Sequence, residues 1–297
     1  MKILVIGSMG FIGKACADFL RKQHGADVYG ADVTAVYDDD KYFLIDASNA
    51  DFKQIFGEHQ FDWCINCAGA ASVPDSFKHP LRDYLLNVQL VVTLLNAIKD
   101  DAPTCKFIQL SSAAVYGNPQ ALPITEAHTL APLSPYGIHK KQAEELCALY
   151  HQYFGLETYV LRLFSAYGRG LKKQLFWDLH KKSVATDNLT LFGTGNETRE
   201  FIHVLDIANA VWVLIAYQQP KQRIFNVANS SATTIKYAAE SFLQNIEFGG
   251  TLNFSGQNRE GDPLYWQADT TLLNNLGYHQ TISFEDGLTD YCNWLKE

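Results

Sequence analysis

The sequence predicts an α/β fold in which helices cover both faces of a doubly wound parallel sheet. Short β-rich runs alternate with longer amphipathic ones from the first residues onward, the pattern that parallel strands joined by crossover helices leave in a chain. A glycine-rich turn joins the first such run to the first helix. Beyond Gly168 the alternation loosens and Gly, Asn and Pro punctuate the connections, which predicts a second, smaller lobe.

Taken in order, the spacing predicts strands over residues 2–6, 27–31, 61–66, 105–110 and 158–164, with helices over 12–23, 50–56, 81–99 and 135–153. This order is Rossmann-like, and ligands of such sheets lie beyond the C-terminal ends of the strands. In the second half, strands over 189–192 and 224–227 alternate with helices over 174–183, 205–217 and 235–244. The expected division is therefore a main unit over 1–168 and a smaller α/β substrate-binding lobe over 169–297, some of whose segments return to the main sheet. With no internal repeat and no low-complexity linker, the two are expected to share a cleft.

Bulk properties narrow the partners. The 297 residues are 47% hydrophobic and 19% charged, which places the chain in the ordinary globular class. The net charge of -8 with scattered basic residues disfavours a nucleic-acid backbone and leaves room for a local pocket that holds one phosphorylated ligand. The first residues lead straight into a strand, so no secretory signal is expected; the apolar stretch 210–217 is too short to span a bilayer, so no membrane partner is expected either. The six cysteines, few for the length and mostly in apolar segments, suit a reducing cytoplasm. Cys64 and Cys67 form C-x-x-C inside a strand-like run, where they read as core thiols rather than a redox pair. No metal site is expected.

Gly7-Ser8-Met9-Gly10-Phe11-Ile12-Gly13 follows the first strand and ends inside the first helix. Its G-x-x-G-x-x-G spacing departs slightly from the dinucleotide fingerprint, yet the physics is shared: glycines allow a tight turn and close backbone approach. The N–H groups around Phe11, Ile12 and Gly13 can then hold a pyrophosphate. Asp32, after the second strand, can accept from adenosine ribose hydroxyls and repels a 2′-phosphate, which favours NAD over NADP. Asp46 and Ala47, past the run 42–45, are candidates for the adenine edge. In Asn66-Cys67-Ala68-Gly69-Ala70-Ala71, small residues stand where the chain must pass close to a dinucleotide, and Ala68, Gly69 and Ala70 are expected to wall it.

Ser134-Pro135-Tyr136-Gly137-Ile138-His139-Lys140 reads as a helix start, with Ser134 as cap and Pro135 at the first position. Tyr136 and Lys140 then share one helical face. A phenol with a pKa near ~10 is a poor base at neutral pH; a nearby ammonium and an oxidised nicotinamide favour the phenolate, which can take a proton from a sugar hydroxyl as hydride leaves carbon. Ser112, at the end of the fourth main strand, can hydrogen-bond the reacting oxygen, with Ser111 as the alternative in register.

With these motifs in order, and with Ser111-Ser112-Ala113-Ala114-Val115-Tyr116-Gly117, Arg162-x-Phe164, Arg199-x-Phe201-x-His203-Val204-x-Asp206 and Arg259-Glu260-Gly261-Asp262, the chain resembles the extended short-chain dehydrogenase/reductase family over most of its length. Within it, the nucleotide-sugar epimerases and dehydratases are the closest likeness. The resemblance implies Ser112, Tyr136 and Lys140 as catalytic residues, with Lys140 also holding the nicotinamide ribose. It implies Asn87 beside the cofactor, and Arg199 and Arg259 on the substrate diphosphate, a task that suits a guanidinium fork. Phe201, His203 and Asp206 look architectural.

Relatives that eliminate water carry an Asp-Glu pair beside the active-site hydroxyl, where this chain has Ala113-Ala114; dehydration therefore loses weight, and Glu126 is too remote in register to replace the pair. A 4-epimerase acting on a UDP-sugar with tightly held NAD is the expected activity, with a 4-keto-sugar reductase as the alternative and a non-catalytic nucleotide-binding scaffold as a third reading. Ser165 stands where many relatives place an asparagine that contacts the sugar nucleotide. The basic segment 169–173 is expected mainly at the surface, with an acidic ligand group as the alternative. Helices 81–99 and 135–153 resemble those that form a dimeric four-helix contact in the family, through Leu90, Val91, Leu94, Leu95, Leu146 and Leu149, so a homodimer is expected.

Overall fold

The computed structural model describes every residue except 47–49, 218, 258 and 260. Its first half runs β1 (Lys2–Ile6), α1 (Phe11–His24), β2 (Asp27–Asp32), β3 (Tyr42–Leu44), α2 (Lys53–Glu58), β4 (Trp63–Asn66), α3 (Val73–Lys78), α4 (Pro80–Tyr84), a π-turn (Leu85–Gln89), α5 (Leu90–Asp101), β5 (Lys106–Ser112) and α6 (Pro135–Phe154). The rest is β6 (Thr158–Leu163), β7 (Ser165–Tyr167), α7 (Gln174–Ala185), β8 (Asn188–Leu191), β9 (Thr198–Arg199), β10 (Phe201–His203), α8 (Val204–Tyr217), β11 (Ile224–Val227), β12 (Thr233–Thr234), α9 (Ile235–Asn245), β13 (Thr251–Phe254), α10 (Thr271–Asn274) and α11 (Phe284–Leu295).

Seven strands form the main sheet in the order β11-β6-β5-β4-β1-β2-β3, all parallel. Parallel strands lie between helical layers and so are apolar on both faces; every residue of β4 and β6 is buried accordingly. On one face Cys16, Ala17 and Leu20 of α1 pack with Ile207, Val211 and Leu214 of α8. On the other, Phe56 of α2, Leu94 and Ile98 of α5, and Ala143 and Cys147 of α6 close the core. The smaller lobe has its own apolar centre, from Phe176 and Leu179 on α7 to Phe242 on α9 and Tyr291 on α11, and three two-stranded sheets. Among the described residues no helix is long and apolar enough to cross a membrane, and no group of three or more His, Cys, Asp or Glu could hold a metal ion.

The helix expected over 81–99 is not continuous. Its middle widens into the π-turn that carries Asn87, whose amide donates to Asp83 Oδ1 one turn back at 3.1 Å; such turns concentrate at functional sites. The pairs β7 with β10 and β8 with β13 are too short to show a period, and only β8 was legible. Helix α11 was missed although Ser283 caps it and Glu285 and Asp286 stand in its first turn, the signature of a helix start.

A buried polar network fixes α6 on the sheet. Arg162 of β6 donates from Nη2 to Glu144 Oε2 on α6 at 2.7 Å and from Nε to Oε1 at 3.0 Å, and from Nη1 to the Tyr116 hydroxyl at 2.8 Å and the Glu126 carbonyl at 2.9 Å. Tyr116 in turn donates to Asn226 Oδ1 on β11 at 2.6 Å. Both charged partners are buried, so removing one strands the other in a poor solvent for charge. Arg162→Met is expected to cost about 3–5 kcal/mol of stability, and Arg162→Met combined with Glu144→Met much less; denaturant unfolding of the two variants checks this.

Candidate active site

At the C-terminal end of the main sheet the chain leaves β1 through the glycine turn. Gly7 donates to the Ala31 carbonyl at 2.7 Å and holds φ at +76°, where a Cβ would lie 2.7 Å from the Ala68 nitrogen. At Gly13 a Cβ would lie 2.1 Å from the Gly7 carbonyl oxygen, so helix and turn can meet only without side chains. Gly10 sits at the N-cap of α1, and no side chain caps that end; the first N–H groups of Phe11, Ile12 and Gly13 remain for an anion. Phe11 also packs against the core of the smaller lobe. Asp32, at the end of β2, accepts from Met9 N at 2.9 Å through Oδ2 and from Val33 N at 2.7 Å through Oδ1, with lone pairs left on each oxygen. Asp46 adjoins the same strand ends, whereas Ala47 lies outside the described residues. An uncapped helix start, a turn without side chains and a carboxylate at the tip of β2 together fit a dinucleotide.

Past β4 the turn is shaped by Asn66, which accepts from Ala68 N at 3.1 Å and donates to Gln109 Oε1 at 2.9 Å. Ile12, Ala68, Gly69 and Ala70 line a cleft of about 980 Å³ between the sheet ends and the smaller lobe, and Ser112, Tyr136 and Lys140 line it too. Ser134 caps α6, accepting from Gly137 N at 3.1 Å, with Pro135 behind it. That start puts the Tyr136 ring and the Lys140 ammonium one turn apart, Nζ being 5.9 Å from the ring centroid. Nζ donates to the Leu110 carbonyl at 3.1 Å, so lysine and phenol act on one another through space. Burial pushes the phenol up to about 12, while its hydrogen bond with Ser112 draws it back and the charge of Asp83 adds to the rise. Burial pulls Lys140 down to about 8 against the opposing charges of Asp83, Cys67 and Glu144.

Register separates the two serines. Both border the cleft, but Ser111 is buried at 3% exposure and donates to Glu144, while Ser112 shares a hydrogen bond with Tyr136 and accepts from Ala114 N at 3.2 Å. Asn87 lies behind the wall: it is buried, and its Oδ1 makes no hydrogen bond within the described structure. A Cβ on Gly69 would come within 2.6 Å of that oxygen and 3.5 Å of Lys140 Nζ.

Across the cleft stand Ser165, Arg199 and Arg259. Among the described residues Arg199 donates to carbonyls, Thr198 O at 2.9 Å and Leu264 O at 3.4 Å, and its guanidinium stands 5.5 Å from the Trp266 ring centroid. Burial pulls its pKa below the usual value, outweighing the opposing charges of Asp262 and Glu197. Arg259 grips Asp262 with two bonds, at 3.0 and 2.9 Å. The basic segment 169–173 divides. Arg169 is a surface residue held by Asp290 at 3.3 Å and Glu297 at 2.6 Å, as expected, but Lys172 and Lys173 line the cleft. Two further residues escaped the sequence: Asp83 and His139 meet behind Tyr136 at 2.6 Å, a pairing between distant segments that no local pattern announces. Cys64 is buried, with its thiol raised by burial, in keeping with a core role.

Comparison with known proteins agrees with this geometry. Residues 3–228 match the model of the NAD dependent epimerase/dehydratase family. The putative UDP-glucose 4-epimerase of Methanocaldococcus jannaschii is 27% identical over 99% of this chain and 98% of its own. The UDP-glucuronate 4-epimerase of Thermodesulfobacterium geofontis is 28% identical over 99% and 96%. Among solved structures, the UDP-glucuronic acid 4-epimerase of Bacillus cereus, in complex with UDP-glucuronic acid and NAD, superposes with a TM-score of 0.87 at 27% identity, covering 100% of this chain and 99% of that one. A glycine turn shaped for a dinucleotide and a match across the whole main sheet lead to one assignment: the chain belongs to the NAD dependent epimerase/dehydratase family.

Proposed function

We propose that the protein inverts C4 of a UDP-hexose through a 4-keto sugar, with NAD held between turnovers. The observation that carries this reading is the convergence of Ser112, Tyr136 and Lys140 on one wall of a cleft whose other wall presents Arg199. NAD, when bound, would supply the hydride acceptor and donor and, when oxidised, a positive ring that favours the phenolate. Tyr136 Oη then takes the proton of the sugar hydroxyl and later gives it back, Ser112 orients the reacting oxygen, and Lys140 holds ribose hydroxyls while its charge steadies the phenolate. Arg199 offers its guanidinium to the diphosphate, joined by Arg259 once that residue leaves or shares Asp262. Asp32 binds the adenosine ribose.

Elimination of water needs a further acid and base, and Ala114 brings none to the cleft beside Ser112. Glu126 is engaged elsewhere, accepting from Asn226 N at 2.8 Å. The volume of about 980 Å³ lies at the upper end of small-molecule sites, in keeping with a cleft that takes both a dinucleotide and a nucleotide sugar. The names of the relatives, which include UDP-glucose and UDP-glucuronate 4-epimerases, support both uridine and C4.

The chain is also proposed to form a homodimer through α5 and α6. Leu94 and Leu95 are spent in the core, but Leu149 is 40% exposed, as are Leu85, Ile138 and Tyr153 at 42%, 45% and 70%. Light scattering should give twice the chain mass, and Leu149→Asp with Tyr153→Glu should shift it to one chain.

Purified protein should interconvert a UDP-hexose pair without added cofactor; consumption of NADH in step with a keto sugar would show a reductase instead. Tyr136→Phe should keep the fold, by circular dichroism, and slow single-turnover reduction of bound cofactor by about 10²–10⁴-fold. Arg199→Leu should weaken nucleotide-sugar binding in calorimetry by about tenfold or more, with NAD binding changed less.

A further inference from the structure

Behind the cleft wall lies a buried charge that this chemistry does not use. Asp83 of α4 is 3% exposed. An ionised carboxylate has no proton to give, so His139 Nδ1 donates to its Oδ1 at 2.6 Å and Asn87 Nδ2 donates to the same oxygen at 3.1 Å; Oδ2 makes no hydrogen bond within the described structure. Enclosing a carboxylate this way costs several kcal/mol, which a structural contact alone would repay poorly.

We propose that Asp83 is a positioning residue of the active site, one that turns the Asn87 carbonyl toward the Lys140 corner and supplies the negative charge that keeps Lys140 an ammonium. The inference rests on the role given above to Tyr136 and Lys140. The amide of Asn87 is a donor at one end and an acceptor at the other; with its nitrogen drawn to a carboxylate, its oxygen has to face Gly69, at the point shared with Lys140 Nζ. The charges around the ammonium are few. Asp83 faces it from α4 and Glu144 from α6 itself, but Glu144 is answered by Arg162 at 2.7 Å; the thiol of Cys67, in the turn after β4, is kept protonated by its hydrogen bond with Cys16 and by burial. Among the described residues Asp83 is faced by His139 at 2.6 Å, whose ring stands edge-on against Tyr84 at 5.6 Å. On α3, which also packs against α4, Asp75 and Lys78 are exposed and therefore screened by water. The Tyr136 phenol is faced by Ser112 and again by Asp83.

Removing the Asp83 charge should let Lys140 lose its proton at lower pH, and let the phenol ionise more readily as well. The test compares wild type, Asp83→Asn and the smaller Asp83→Ser in the full chain, with ¹³C-labelled lysine titrated by NMR and the Lys140 signal identified by its loss in Lys140→Arg. In both variants the Lys140 midpoint should fall by about one pH unit. The pH profile of kcat should move to lower pH by a similar amount on both limbs, with KM for the UDP-hexose changed less than twofold. Glu145→Gln, exposed on the same helix, should shift neither. A Lys140 midpoint that stays put in both Asp83 variants overturns the proposal, and a lower kcat with an unmoved profile does the same by reducing Asp83 to a structural part. Wild type without Tyr136-dependent turnover would instead overturn the function proposed above, and the lysine titration would still decide the role of Asp83.

Discussion

The site depends on one buried ion pair. Arg162 and Glu144 join β6, the strand next to the β11 edge of the main sheet, to α6, and α6 carries both Tyr136 and Lys140 on the turns before Glu144. A helix packed by apolar contacts alone can slide or roll by fractions of a turn at small cost, because hydrophobic burial has no direction. A forked guanidinium on a carboxylate does have direction. Glu144 also accepts a hydrogen bond from the Ser111 hydroxyl, so the strand end that presents Ser112 and the helix that presents Tyr136 are referenced to the same carboxylate. The geometry of proton transfer is thereby set from beneath, by groups that never meet a ligand.

The main sheet was legible because parallel strands and their covering helices leave long, periodic signals, and because the glycine turn, the Ser134 cap and Pro135 are local chemistry. Boundaries moved by a few residues: β5 runs on to Ser112, and α2 begins at Lys53. What the sequence hid falls into two kinds. Elements of two to four residues, such as β7, β10 and β12, owe their strand geometry to a partner elsewhere in the chain and carry no period of their own. Contacts between distant segments, such as Asp83 with His139 or Arg162 with Glu144, exist only once the fold has formed. The split of segment 169–173 is a third lesson, since Arg169 and Lys172 are alike in composition and differ only in which way the backbone turns.

Burial acts on the two titrating groups of the cleft in opposite senses, raising the phenol and lowering the ammonium. Both shifts favour the neutral form, so the dry wall by itself would leave an inert pair. Charge has to be brought in to make the pair work, and the structure has it in two places. A cofactor ring can bring positive charge from the cleft side, and the Asp83 carboxylate stands behind the wall. Placing that carboxylate behind the wall leaves the cleft face free for shape and hydrogen bonding.

Asp32 has a double duty that bears on redesign. Its Oδ2 ties down the Met9 amide within the glycine turn, while the same carboxylate is the group proposed above for the adenosine ribose. An engineer who replaces it to admit a phosphorylated cofactor would also untie the glycine turn. Retargeting this chain therefore calls for a new latch on the turn in the same round of mutagenesis as the new cation.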